Sequence, residues 1–117
     1  ESLRVNTWLG CAGSTITTHY DVSHNFFVQV LGSKTFRLFP PSNAAALYVA
    51  PRGHPHHRSS MIPDLENVDT TRFPSVTGLS GGILAELGAG DVLYIPPGWF
   101  HHVRSSDGVS VGSTTSG

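Results

Sequence analysis

Gly88-Ala89-Gly90-Asp91-Val92-Leu93-Tyr94-Ile95-Pro96-Pro97-Gly98-Trp99-Phe100-His101 reads as turn, strand, turn, strand. Gly88 to Gly90 supply a tight turn, and Asp91–Ile95 is a short apolar run of strand-forming residues. Pro96 and Pro97 offer no N–H to a ladder, so the strand stops there before the chain resumes at Trp99. Working outward, the same punctuation separates further short segments rich in Val, Ile, Thr, Phe and Tyr. Candidate strands are Leu3–Leu9, Ser14–Tyr20, Phe26–Leu31, Thr35–Phe39, Ile83–Leu87, Asp91–Ile95, His101–Ser105 and Val109–Ser113. Gly32 and Ser33 give a hairpin signal between the third and fourth. Eight short strands predict an all-β jelly roll or barrel. Asn43 to Tyr48 is alanine-rich and predicts one or two helical turns. From there to Ile83 runs a long polar loop with Pro51, Pro55, Pro63 and Pro74, the length of a lid or binding loop.

The chain of 117 residues bounds the reading at one compact domain, taken as 1–117. Charged residues are 13%, and seven basic against eight acidic residues leave a net charge of -1. That balance argues against a phosphate-backbone binder, which needs a basic face, and against a disordered tail, which needs high net charge. No apolar run approaches the ~18–20 residues of a membrane span. The lone Cys11 forms no internal disulfide, so a cytoplasmic or nuclear setting is expected. The chain starts at Glu1 and its one methionine is Met61, which reads as part of a longer protein.

Thr17-Thr18-His19-Tyr20-Asp21 puts an imidazole and a carboxylate two residues apart on a predicted strand, hence on one face. A third ligand must come from a distant strand, and His101, just after the Pro-terminated segment, is the natural candidate. Two histidines and one carboxylate on one face of an octahedral ion leave three positions open, the arrangement of non-haem Fe(II) oxygenases. A His-x-Asp triplet alone is a weak signal, equally expected of exposed residues on an edge strand. It gains weight from the eight-strand pattern and from Lys34, the one lysine of the chain, whose ordinary reading is a solvated hairpin residue. Asn25 reads equally as a turn residue, and Phe27 and Trp99 as core. His102 is a poorer ligand choice because strand alternation points it away from His101, and it reads as an outer-face residue or as one supporting the ligands from behind. His54, His56 and His57, with Arg52 and Arg58, read as a solvated loop near the barrel mouth.

His19-Tyr20-Asp21, His24-Asn25-Phe26-Phe27, Gln29, Gly32, Lys34, Phe39-Pro40-Pro41 and the block from Gly90 to His101 resemble the JmjC domains of the cupin superfamily. The likeness is greatest to the JmjC-only 2-oxoglutarate/Fe(II) protein hydroxylases, the type of the asparaginyl hydroxylase that inhibits hypoxia-inducible factor. It runs from Asn6-Thr7-Trp8 to about Val111 and includes the loop around Pro63-Asp64 and Arg72-Phe73-Pro74. The resemblance implies a double-stranded β-helix, here lacking its N-terminal strands, in which His19, Asp21 and His101 hold Fe(II). It implies that Lys34 binds the distal carboxylate of the co-substrate 2-oxoglutarate and that Asn25 faces the same molecule.

The implied reaction consumes O2, hydroxylates a side chain of a protein or peptide substrate, and yields succinate and CO2. The sequence departs from the family at Ile16, where a hydroxyl is usual. Thr17, on the His19 face by alternation, is the expected substitute, with Thr15 the other choice. It departs again after Val111, in Gly112-Ser113-Thr114-Thr115-Ser116-Gly117. Two other readings stand beside hydroxylation: a JmjC lysine demethylase, and a cupin that binds metal or ligand without turnover. Substrate identity and oligomeric state are not legible.

Overall fold

A computed structural model describes residues 4–10, 15–105 and 110–116. Its eight strands are β1 (Arg4–Gly10), β2 (Thr15–Tyr20), β3 (Asn25–Leu31), β4 (Lys34–Phe39), β5 (Ile83–Leu87), β6 (Val92–Ile95), β7 (Phe100–Ser105) and β8 (Ser110–Ser116). The expected strand ends at Leu3, Ser14 and Val109, and Cys11, lie outside the described residues.

The first sheet has the order β1-β8-β3-β6 and the second β2-β7-β4-β5, every pair antiparallel. Successive strands alternate between the sheets except at β4 and β5, which pair directly across the 40–82 insert. That alternation winds the chain into a double-stranded β-helix.

Period-two patterning places the core between the sheets. On β3, Asn25, Phe27 and Gln29 turn inward, and on β4, Lys34, Phe36 and Leu38 do so. Phe27 and Ile95 from the first sheet interlock with Phe36, Leu38, Leu87 and Val103 from the second, with Trp99 packed against them. Phe27 and Phe36 meet at a ring separation of 4.9 Å. Gly112 on β8 is required by this packing, because any Cβ there would clash with the Cζ edge of the Phe27 ring.

Two expectations change in the insert. Asn43–Tyr48 forms no α-helix. A 3-10 turn at Pro41–Asn43 runs into successive turns, with one helix-like bond from Leu47 N to Asn43 O at 3.0 Å. Asn43 is buried and its side chain bonds Ser80 N and O across the insert, so a tertiary tie replaces helix propagation.

The loop beyond it is not structureless. Ser60 N donates to Thr18 O at 2.8 Å and Tyr20 N to Arg58 O at 3.0 Å, so residues 58–60 dock on the β2 edge through an isolated antiparallel bridge between His19 and Ser59. Among the described residues no helix is long and apolar enough to cross a membrane.

Candidate metal and co-substrate site

His19 is the penultimate residue of β2, Asp21 follows the strand, and His101 lies on β7, opposite His19 in the ladder. The Pro96-Pro97-Gly98 turn fixes the join between the two sequence blocks. Gly98 adopts φ 80°, open to glycine without strain, and its N–H donates to Asp21 O at 2.8 Å.

His19 Nε2 and His101 Nε2 stand 3.9 and 3.5 Å from Asp21 Oδ2. The three ligand atoms lie within 4.8 Å of one another. Bonds of ~2.0–2.2 Å at right angles separate two ligands by roughly 3 Å, so the set needs only a small contraction to hold one ion.

The tautomers suit this use. His19 Nδ1–H donates to Thr17 O at 2.8 Å, and His101 Nδ1–H donates to Trp99 O at 3.3 Å. Each imidazole therefore turns an Nε2 lone pair inward. Burial, then the neighbouring His19, lower the pKa of His101 to about 4, against the opposing pull of Asp21 and the Trp99 carbonyl. The ring is thus neutral and free to ligate at physiological pH. Asn25 Nδ2 donates to Asp21 Oδ2 at 3.0 Å and orients the carboxylate.

A cavity of about 370 Å³ opens beside the three residues and is also lined by Asn25, Phe27, Lys34, Ile16 and Arg58. Lys34 is only 4% exposed. Its Nζ lies 5.0 Å above the centre of the Phe27 ring, and it has no ion-pair partner among the described residues. Burial lowers its pKa from the usual lysine range. A buried ammonium without a carboxylate is costly, and an anion entering the cavity removes that cost. The donor set and this unpaired cation fit a metal with a dicarboxylate co-substrate.

Thr17 is a correction. The β2–β7 register shifts between Ile16 and His19, so strict alternation fails there. Thr17 is exposed, its carbonyl engaged by His19, and Ile16 lines the cavity in its place. Thr15 is exposed as well.

His102 does face outward, but it is buried rather than open. His56, His57 and Arg58 line a second, polar cleft of about 220 Å³ that shares His19 and Asp21 with the candidate metal site. His54 instead braces this loop, its Nδ1 accepting from His56 N at 3.0 Å. Sequence reasoning did not single out Thr18 or Glu66. Glu66 bonds Arg104 38 residues away, and only an uncompensated buried histidine next to His101 could have hinted at it.

The profile of the cupin-like domain family matches residues 1–113. JmjC domain-containing protein D of Dictyostelium discoideum is 37% identical over 105 residues, covering 90% of this chain and 23% of the relative. Lysine-specific demethylase JMJ30 of Arabidopsis thaliana is 41% identical over 107 residues, covering 90% and 24%. The chain thus spans about a quarter of the length of these curated relatives. Among solved structures, an oxalate decarboxylase of Bacillus subtilis aligns with a TM-score of 0.62 at 13% identity, over 99% of this chain and 21% of that one, which supports the fold alone. Taken with the eight-strand double helix, these matches show that the chain belongs to the cupin-like domain family, as a JmjC domain of the cupin superfamily.

Proposed function

We propose that the chain is the metal- and co-substrate-binding core of an Fe(II)- and 2-oxoglutarate-dependent oxygenase acting on a protein side chain, with removal of a lysine N-methyl group as the outcome. The observation that carries the oxygenase reading is Lys34, a buried ammonium with no ion-pair partner among the described residues, in the cavity that His19, Asp21 and His101 also line. The relative named a lysine-specific demethylase supports the choice of outcome.

His19, Asp21 and His101 would hold Fe(II), and three ligands leave room for a chelating co-substrate and O2. Bound there, Fe(II) supplies the oxidation of a substrate C–H bond by O2, coupled to conversion of 2-oxoglutarate to succinate and CO2. The chain's own part is positional. Thr17 O and Trp99 O fix the two rings and Asn25 fixes the carboxylate, and Lys34 would pair the distal carboxylate of the co-substrate. Phe27, Phe36, Ile95 and Val103 keep the inner cavity apolar and limit water around the reacting groups.

Stable hydroxylation is the second reading, and the outer cleft favours it. Its lining offers Arg58, His56 and His57 but no carboxylate except the candidate ligand Asp21. A cationic methyl-lysine gains nothing from such walls, whereas a neutral or acidic side chain does.

Mass spectrometry of methylated and unmethylated peptides incubated with the protein, Fe(II), ascorbate and 2-oxoglutarate separates the readings. Loss of methyl with formaldehyde release supports demethylation, and gain of one oxygen on an unmethylated peptide supports hydroxylation. A protein that binds metal but forms no succinate with any peptide leaves the non-catalytic cupin.

A further inference from the structure

Directly behind the candidate metal site, on the outer face of the second sheet, lies a polar chain that the proposed chemistry does not use. We propose that Glu66, His102 and Thr18 form a positioning relay that sets the spacing of His19 and His101, an inference that rests on the metal-site reading above.

The need for such a device is visible in the ladder. The β2–β7 pairing sets His19 opposite His101 but loses register immediately before it, between Ile16 and His19, so the ladder supports that pair from one side only. Thr18 occupies that irregular step, 2% exposed, and its hydroxyl lies 3.4 Å from His102 Nδ1. Thr18 adjoins His19 in the chain and His102 adjoins His101, so one contact on the outer face ties together the two strands whose inner faces carry the ligands.

The far end of His102 is the second observation. The residue is 2% exposed, and its Nε2 is buried without a hydrogen-bond partner. Glu66 Oε2 stands 3.8 Å from it, longer than a hydrogen bond and within reach of a small side-chain shift. Arg104 Nη1 holds the same oxygen at 2.8 Å, and Arg37 Nε lies 3.7 Å from Oε1. With the proton on Nε2, His102 points its donor at Glu66 while Nδ1 accepts from the Thr18 hydroxyl, the tautomer in which both contacts are attractive. The insert grips the same step through its backbone, Ser60 N donating to Thr18 O. A carboxylate from the insert thus orders the outer histidine, and the outer histidine orders the strands of the inner one.

Asp64 brings a third carboxylate or imidazole atom within 4.8 Å of His102 and Glu66, the size of a cation site. Arg37 and Arg104 argue against that use, because a divalent ion on Glu66 would stand beside two guanidinium groups.

Co(II) titration of the protein, followed by affinity and by the visible absorption of the bound ion, tests the relay. Glu66→Ala and Thr18→Val should each weaken Co(II) about 10- to 100-fold and alter the spectrum, while Glu66→Gln, which keeps an acceptor oxygen, restores most of both. A parent that binds Co(II) with variants matching it in affinity and spectrum overturns the relay and leaves the metal site standing. A parent that binds no Co(II) overturns the metal-site reading, and the relay with it. Should a His19→Ala/Asp21→Ala double variant keep one Co(II) that Glu66→Ala removes, the cluster is a cation site and the relay is wrong. His102→Ala is not needed for the decision, since loss of a buried ring can unfold the chain by itself.

Discussion

The two sheets pack their inner faces alike and treat their outer faces in opposite ways. On the first sheet Phe26, Val30, Val92 and Tyr94 remain exposed on the outside. On the second, the outward side chains of β4 and β7 include Arg37, His102 and Arg104; Glu66 of the insert stands against all three, with His102 buried and the two arginines still exposed. Apolar side chains stand open on the first sheet while the polar ring of His102 is buried on the second, the reverse of what hydrophobicity alone arranges. A polar face can be covered only when its charges are met, as Glu66 meets the two arginines. The sheet that receives this cover also carries Lys34, His19 and His101, while the first sheet supplies Phe27, Asn25 and Ile95 as walls and supports.

The contrast breaks most visibly at the ligands. Asp21→Ala or His101→Ala should lower Mn(II) affinity by about a thousandfold or more in a calorimetric titration, because each removes one of three donors. Wild-type-like binding by either variant removes that residue from the site. Lys34→Ala should weaken 2-oxoglutarate at least about a hundredfold, the loss of a buried charge partner at ~3–5 kcal/mol, and leave Mn(II) affinity nearly unchanged. Lys34→Arg should rescue only in part, since a planar fork approaches a carboxylate differently from an ammonium. The pH dependence follows in sign. Burial lowers the Lys34 pKa, so co-substrate affinity should begin to fall at a pH below the usual lysine range, read by titration from pH 7 upward.

The metal-free fold should also respond to acid. His101, at about 4, and His102, lowered by burial, bind their protons less readily folded than unfolded. Stability should therefore fall as pH drops below the free histidine value of ~6.5, with the His101 part complete near pH 4. Urea melts at pH 7 and pH 4.5 check this, and equal midpoints would contradict it.

Gly112→Ala should cost ~1–3 kcal/mol by driving a methyl into the Phe27 ring on which Lys34 rests, and co-substrate affinity should fall with it. The smallest effect belongs to the open exterior, where Val92→Lys should shift stability within about 0.5 kcal/mol by thermal denaturation. A larger loss there would mean that the first sheet's exterior is covered as well.

The punctuation of the sequence was enough for eight strands and for the all-β class, because proline, glycine and period-two patterning act within a few residues. The pairing of His19, Asp21 and Lys34 with one cavity was legible for the same reason, since each sits on or beside a strand whose inner face the apolar residues mark. The role of Thr17 was not, because one register shift between Ile16 and His19 reverses the face of every residue at that step. Nor was the burial of His102. Alternation correctly sends it outward, but its cover arrives from Glu66, 36 residues earlier in the chain and inside a segment whose prolines and polar residues read as open loop. Sequence by itself determined the strands, the inward faces and the donor types, all set by local periodicity. Tertiary structure alone decided which two histidines oppose each other, where the ladder slips, and which outer face the insert covers, because those depend on contacts between segments that no local rule connects.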